Sequence, residues 1–133
     1  MANVDTLPAM LVPLMSAPSI RLDRCAVCGR RSPLNQHHIV RRAAGKLYRA
    51  GREVPKPTVT LCGMGSVLSD SDGRPYCHGL AHANRLHFRW VPEEGPRDGA
   101  GSYRPKGGHL ECLLLDEPAP YIEALEMDGW RKL

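Results

Sequence analysis

The chain is short of the residues that build large hydrophobic cores. Its 133 residues include one phenylalanine, two tryptophans and four tyrosines, against 13 glycines and 12 prolines. One domain of this length and composition buries little apolar surface, so a bound metal is expected to share in its stability. Long apolar runs are missing as well. The apolar stretch at residues 7–15 has no basic start and is broken by Pro8 and Pro13, which argues against a secretory signal and a membrane span. Without such a signal, the five cysteines are expected to stay reduced in the cytoplasm, as metal-bound thiolates for the most part, rather than to form disulfides. Acids are scarce in one region. Residues 21–56 hold ten Arg/Lys with only Asp23 and Glu53, whereas residues 108–133 hold six acids and two bases. The net charge of +4 conceals this split. A basic half beside candidate metal ligands suits a polyanion, with nucleic acid the foremost candidate.

What is present is a set of metal-binding side chains. Cys25 and Cys28 make a C-x2-C knuckle, and Cys62 and Cys77 follow with fourteen residues between them. Four thiolates suit a closed tetrahedral zinc site of structural type. Asp72-Gly73 and Pro75 supply the turn that folds the long spacer back. Cys112, inside an apolar run, is expected as a small buried hydrophobe. His78 and His82 stand four residues apart and would share one helix face, a spacing that holds two positions on a metal ion. A third ligand would come from His37 or His38. On a strand these two point to opposite faces, which leaves one as ligand and the other as a base able to take a proton from water. His87 and His109 are expected as plain surface residues.

The expected organisation is α+β. Residues 1–20 read as a flexible, proline-rich arm, 21–92 as the core, 93–108 as a flexible loop, and 109–133 as a strand and helix packed on the core. Within the core, strands are expected at 34–40 and 58–62, separated by a basic loop at 41–56. A surface excursion at 63–76 precedes a helix over 78–88 that bears His78, His82, Arg85 and Arg89. Residues 109–115 would pair with 88–91 as a hairpin, and 116–127 would form a final helix stopped by Gly129.

In order, the C-x2-C knuckle, His37-His38-Ile39, Thr58-Val59-Thr60-Leu61-Cys62 and Cys77-His78-Gly79-Leu80-Ala81-His82 closely resemble the HNH endonucleases with a ββα-metal fold, and are similar to small HNH proteins encoded by bacteriophages. The resemblance runs from Cys25 to Arg89. It implies a ββα-metal core with a structural zinc at Cys25, Cys28, Cys62 and Cys77. It also implies one catalytic divalent cation (Mg²⁺, Mn²⁺, Ni²⁺ or Zn²⁺) on His37, His78 and His82, with His38 as general base. The reaction implied is DNA phosphodiester hydrolysis leaving 5′-phosphate and 3′-hydroxyl ends, by nicking or double-strand cleavage. Where the family has an asparagine opening the second strand, this chain has Pro57-Thr58, and the Thr58 hydroxyl is expected to bridge that gap. Arg41, Arg42, Lys46, Arg49, Arg52 and Arg85 are expected to meet phosphates. The partners implied are DNA and phage packaging proteins, without a membrane, in a bacterial host cytoplasm. The alternatives are a catalytically weak zinc-binding DNA module and an interaction protein of a packaging complex.

Overall fold

The structure is a computed structural model that describes residues 2–40, 45–93 and 107–133. It is a small α+β arrangement with few helices. In chain order the strands are β1 (Ala2–Asn3), β2 (Leu34–His38), β3 (Leu47–Arg49), β4 (Arg52–Val54), β5 (Thr58–Cys62), β6 (Leu86–Pro92), β7 (Gly108–Leu114) and β8 (Arg131–Lys132). Helix α1 spans Cys77–His82 and α2 spans Tyr121–Ala124. Among the described residues these form three sheets, in the orders β1-β3-β4, β2-β5 and β6-β7-β8.

The central pair, β2 and β5, is antiparallel, with Leu34 opposite Cys62 and His38 opposite Thr58. Every residue of β5 is buried, as its β-branched sequence favours. Alternation puts Asn35 and His37 on one face of β2 and Gln36 and His38 on the other.

The first twenty residues were expected to form a loose arm; instead they pack. Val12–Ser16 is a 3-10 helix whose Leu14 and Met15 are buried, and Val4 and Ala17 are buried with them. A run rich in proline cannot build a regular helix, yet its apolar side chains still gain by covering Val40, Leu47 and Val59, which lie in the same cluster. Ile20 adds a parallel bridge to Val59 along the open edge of β5.

Three further expectations need correction. The basic loop at 41–56 contains the β3-β4 hairpin, turned by Ala50 and Gly51 with φ of 53° and 78°. Two successive residues with positive φ are what a tight hairpin turn of matching twist requires. The helix expected over 78–88 ends at His82. Asn84 adopts φ 59°, its N–H donates to the Ala81 carbonyl, and the Arg85 N–H donates to the Leu80 carbonyl. These two bonds close the helix with asparagine in the left-handed position, and the chain leaves as strand β6. Likewise the helix expected over 116–127 shrinks to α2, because Pro118 and Pro120 bring no N–H and Ala119 donates instead to the Asn84 carbonyl. The hairpin of β6 and β7 forms in the expected region, from Leu86 opposite Leu114 to Pro92 opposite Gly108. The expected loop at 93–108 falls almost entirely outside the described residues.

Candidate metal centre

The four cysteines of the first motif converge. The Sγ atoms of Cys25, Cys28, Cys62 and Cys77 all lie within 4.8 Å of one another. Cys28 Sγ and Cys62 Sγ are 3.7 Å apart, close to the roughly 3.8 Å edge of a tetrahedron with metal–sulfur bonds of about 2.3 Å. Two sulfurs accept backbone hydrogen bonds, Cys25 from the Cys28 N–H at 3.5 Å and Cys62 from the Cys77 N–H at 3.2 Å. The second of these satisfies an N–H at the start of α1, where no side chain caps the helix. No disulfide joins the five cysteines, and Cys112 is buried as expected.

The four thiols set one another's protonation. The Cys77 thiol donates to Cys25, which lowers the Cys25 pKa and raises that of Cys77, while burial pushes Cys62 up. One buried thiolate among four sulfurs resists the ionisation of the others, and a divalent cation reverses that balance. The donor set fits a structural metal such as zinc.

The imidazoles of His37, His78 and His82 form a second convergence, with their ligand atoms within 4.8 Å of one another. His37 comes from β2, and the other two come from successive turns of α1. His78 Nε2 and His82 Nε2 are 3.0 Å apart, the spacing of two donors set at a right angle about 2.1 Å from one ion. His82 is exposed, so the cluster opens to solvent on its side. Burial, followed by repulsion from His78, His82 and His38, lowers the pKa of His37 to about 3. Burial also lowers that of His78. A neutral imidazole can offer a ring lone pair to a metal ion.

The two centres are mechanically joined. Cys77 and His78 are consecutive, so the sulfur cluster that fastens the end of β5 to the start of α1 also sets where His78 and His82 face β2. No protein-family model, curated protein or solved structure matches the chain.

His38 stands at the end of β2 and lines both the large cavity bearing the three imidazoles and a smaller cleft with Lys46, Glu53 and Lys56. Its partner across the pair, Thr58, does not act alone. The Thr58 hydroxyl accepts a hydrogen bond from Gln36 Nε2 at 3.0 Å, and Gln36 also bonds the Ile20 carbonyl and Thr60. Gln36 therefore braces the His38 face of the strand, a role the sequence reading gave to Thr58. Asn35 was missed too. Its Nδ2 lies 3.2 Å from His78 Nδ1. Its Oδ1 is a buried acceptor without a hydrogen-bond partner among the described residues. With the amide turned over, Oδ1 would receive an Nδ1–H from His78 and hold Nε2 toward a metal. The available signal was alternation: Asn35 and Gln36 share the faces of His37 and His38.

Of the expected phosphate contacts, Lys46, Arg49 and Arg52 are exposed on or beside the β3-β4 hairpin. Arg49 and Arg52 sit directly opposite each other. Arg85 is committed elsewhere, its Nε donating to the Leu115 carbonyl at 3.0 Å. Arg41 and Arg42 lie outside the described residues. Neither remaining histidine is a plain surface residue. His87 is buried and its Nε2 donates to the Asn84 carbonyl, while His109 pairs with Glu111 at 2.9 Å. Among the described residues no helix is long and apolar enough to cross a membrane.

Proposed function

We propose that the chain is a metal-dependent DNA endonuclease of the HNH type, in which β2, β5 and α1 form a ββα-metal core stapled by zinc. The observation that carries this reading is the meeting of three imidazoles from β2 and α1 within 4.8 Å, beside His38 on the same strand. The resemblance described above gives that constellation its chemistry.

His37, His78 and His82 would hold the catalytic cation, which when bound supplies charge stabilisation for the leaving oxygen. His38, on the opposite face of β2 and opposite Thr58 in register, would take a proton from the attacking water. Lys46, Arg49 and Arg52 would carry the flanking phosphates. Like charges placed opposite each other on a hairpin are destabilising, and a polyanion relieves that repulsion for Arg49 and Arg52. On the resemblance to small phage proteins, the setting would be a bacterial host cytoplasm and the processing of packaged DNA.

The test is a supercoiled plasmid incubated with zinc-loaded protein, with and without Mg²⁺, Mn²⁺ or Ni²⁺, beside His38→Ala. Metal-stimulated nicking or linearisation that disappears in the variant supports the reading. Cleavage by His38→Ala at the wild-type rate removes His38 from the mechanism. A second reading, a DNA-binding module without catalysis, is favoured by the Thr58 hydroxyl being occupied with Gln36; it requires binding without nicking under every ion.

A further inference from the structure

The imidazole cluster opens into a cavity of about 1080 Å³, at the top of the roughly 300–1,000 Å³ range of small-ligand pockets. Two kinds of side chain line it: the imidazoles of His37, His78 and His82, and an apolar set that includes Leu7 and Leu11 of the N-terminal segment, Phe88 of β6 and Tyr121 of α2. A phosphate needs only the first set, and a metal site for phosphates alone does not call for an apolar annex. Aromatic rings join the two sets. His37 and Phe88 have centroids 6.2 Å apart, and His87 and Tyr121 5.8 Å.

We propose that this apolar annex receives an unpaired nucleobase of the strand whose phosphodiester lies at the imidazole cluster. The inference rests on the nuclease reading for its phosphate and adds the form of the substrate: single-stranded, bulged or otherwise unstacked nucleic acid. A base in this position is held by stacking, which every base offers through its ring face. Three of the polar side chains that line the cavity are already engaged. The Tyr121 hydroxyl donates to the Phe88 carbonyl, His87 Nε2 donates to the Asn84 carbonyl, and the Gln36 amide is spent on Ile20, Thr58 and Thr60. The annex therefore selects for an unpaired base and tolerates any of the four.

The experiment measures binding of zinc-loaded protein, without added divalent cation, to three duplexes: fully paired, with one bulged adenine, and with one bulged abasic sugar. The two bulges share their backbone and differ in the presence of the base. Tighter binding of the adenine bulge than of the abasic bulge, by about tenfold as one stacked base allows, is expected. Bulged pyrimidines should bind within a few-fold of adenine. Leu11→Trp, which fills the annex from the N-terminal side, should erase the difference; its thermal midpoint and zinc content would show that it folds. Equal binding of the adenine and abasic bulges overturns the inference, whether the cavity takes an apolar side chain instead or nothing. Binding of none of the duplexes overturns it as well. Metal-stimulated cleavage of all three duplexes at one rate, with equal binding, leaves the nuclease standing and removes the annex. A base preference without cleavage under any ion does the reverse.

Discussion

A Cβ built on Gly63 would stand 2.6 Å from Cβ of His78. Real Cβ atoms do not approach so closely, and the obstacle is the root of the His78 side chain, not its flexible end. Gly63→Ala should therefore push His78 away from His37 and His82. The expected outcome is a weakening of metal affinity at the imidazole cluster by about 10–100-fold, the range for disturbed ligand orientation, measured by calorimetric titration of Ni²⁺ into zinc-loaded protein. An unchanged affinity would show that His78 is not a ligand.

Removing a ligand should do more than misplacing one. Cobalt titration of metal-free protein is expected to fill two sites per chain, one with the intense thiolate charge-transfer absorption of a cysteine site and one without it. His82→Ala should lose the second site by more than the roughly 100-fold effect of an outer-shell change, with the thiolate band intact. Loss of both bands together would contradict the separation of the two centres.

The cysteine cluster should act on stability. A structural zinc contributes on the order of 10 kcal/mol of apparent binding energy in small zinc-dependent domains. Cys62→Ser removes a fully buried donor, so the variant should lose its zinc and its cooperative thermal transition at neutral pH. A variant that melts like the wild type and keeps stoichiometric zinc would refute the role of Cys62.

Glu111 accepts from both His109 and Arg89, at 2.9 Å and 2.7 Å. These contacts, His109 first, hold its carboxyl below the usual range. A depressed carboxylate pKa adds stability that is complete above the unfolded value near 4.3 and is lost as pH falls toward the folded one. Glu111→Gln should cost about 1 kcal/mol at pH 7, and its difference from wild type should shrink as pH drops below about 4.3. Thermal midpoints from pH 7 to pH 3 test this; a constant difference would place the effect outside charge.

The hairpin arginines make a paired prediction. Replacing both Arg49 and Arg52 by glutamine removes like charges that face each other. Stability should rise by a few tenths of a kcal/mol, while affinity for duplex DNA falls and the slope of log affinity against log salt drops by about 2. An unchanged slope would exclude these side chains as phosphate contacts.

Local order along the chain was enough to mark the side chains that meet in the two clusters, except for the choice between His37 and His38, because donor chemistry is a property of residue type and spacing: the C-x2-C knuckle, the later Cys62 and Cys77, and the four-residue step from His78 to His82. Alternation likewise put His37 and His38 on opposite faces of one strand, and β-branching marked Thr58–Cys62 as buried. Other features depend on distant partners. The helix stops at His82 because Asn84 takes a left-handed conformation, and Ala119 then bonds back to Asn84. The N-terminal segment is packed because Val4 and Leu14 find Leu47 and Val59 to cover. Gln36, not Thr58 alone, braces the His38 face because its side chain reaches residues 20, 58 and 60 at once. Residue chemistry, which is local, marked the candidate ligands; packing, which is collective, chose their supports and brought Leu7, Leu11 and Phe88 into the same cavity.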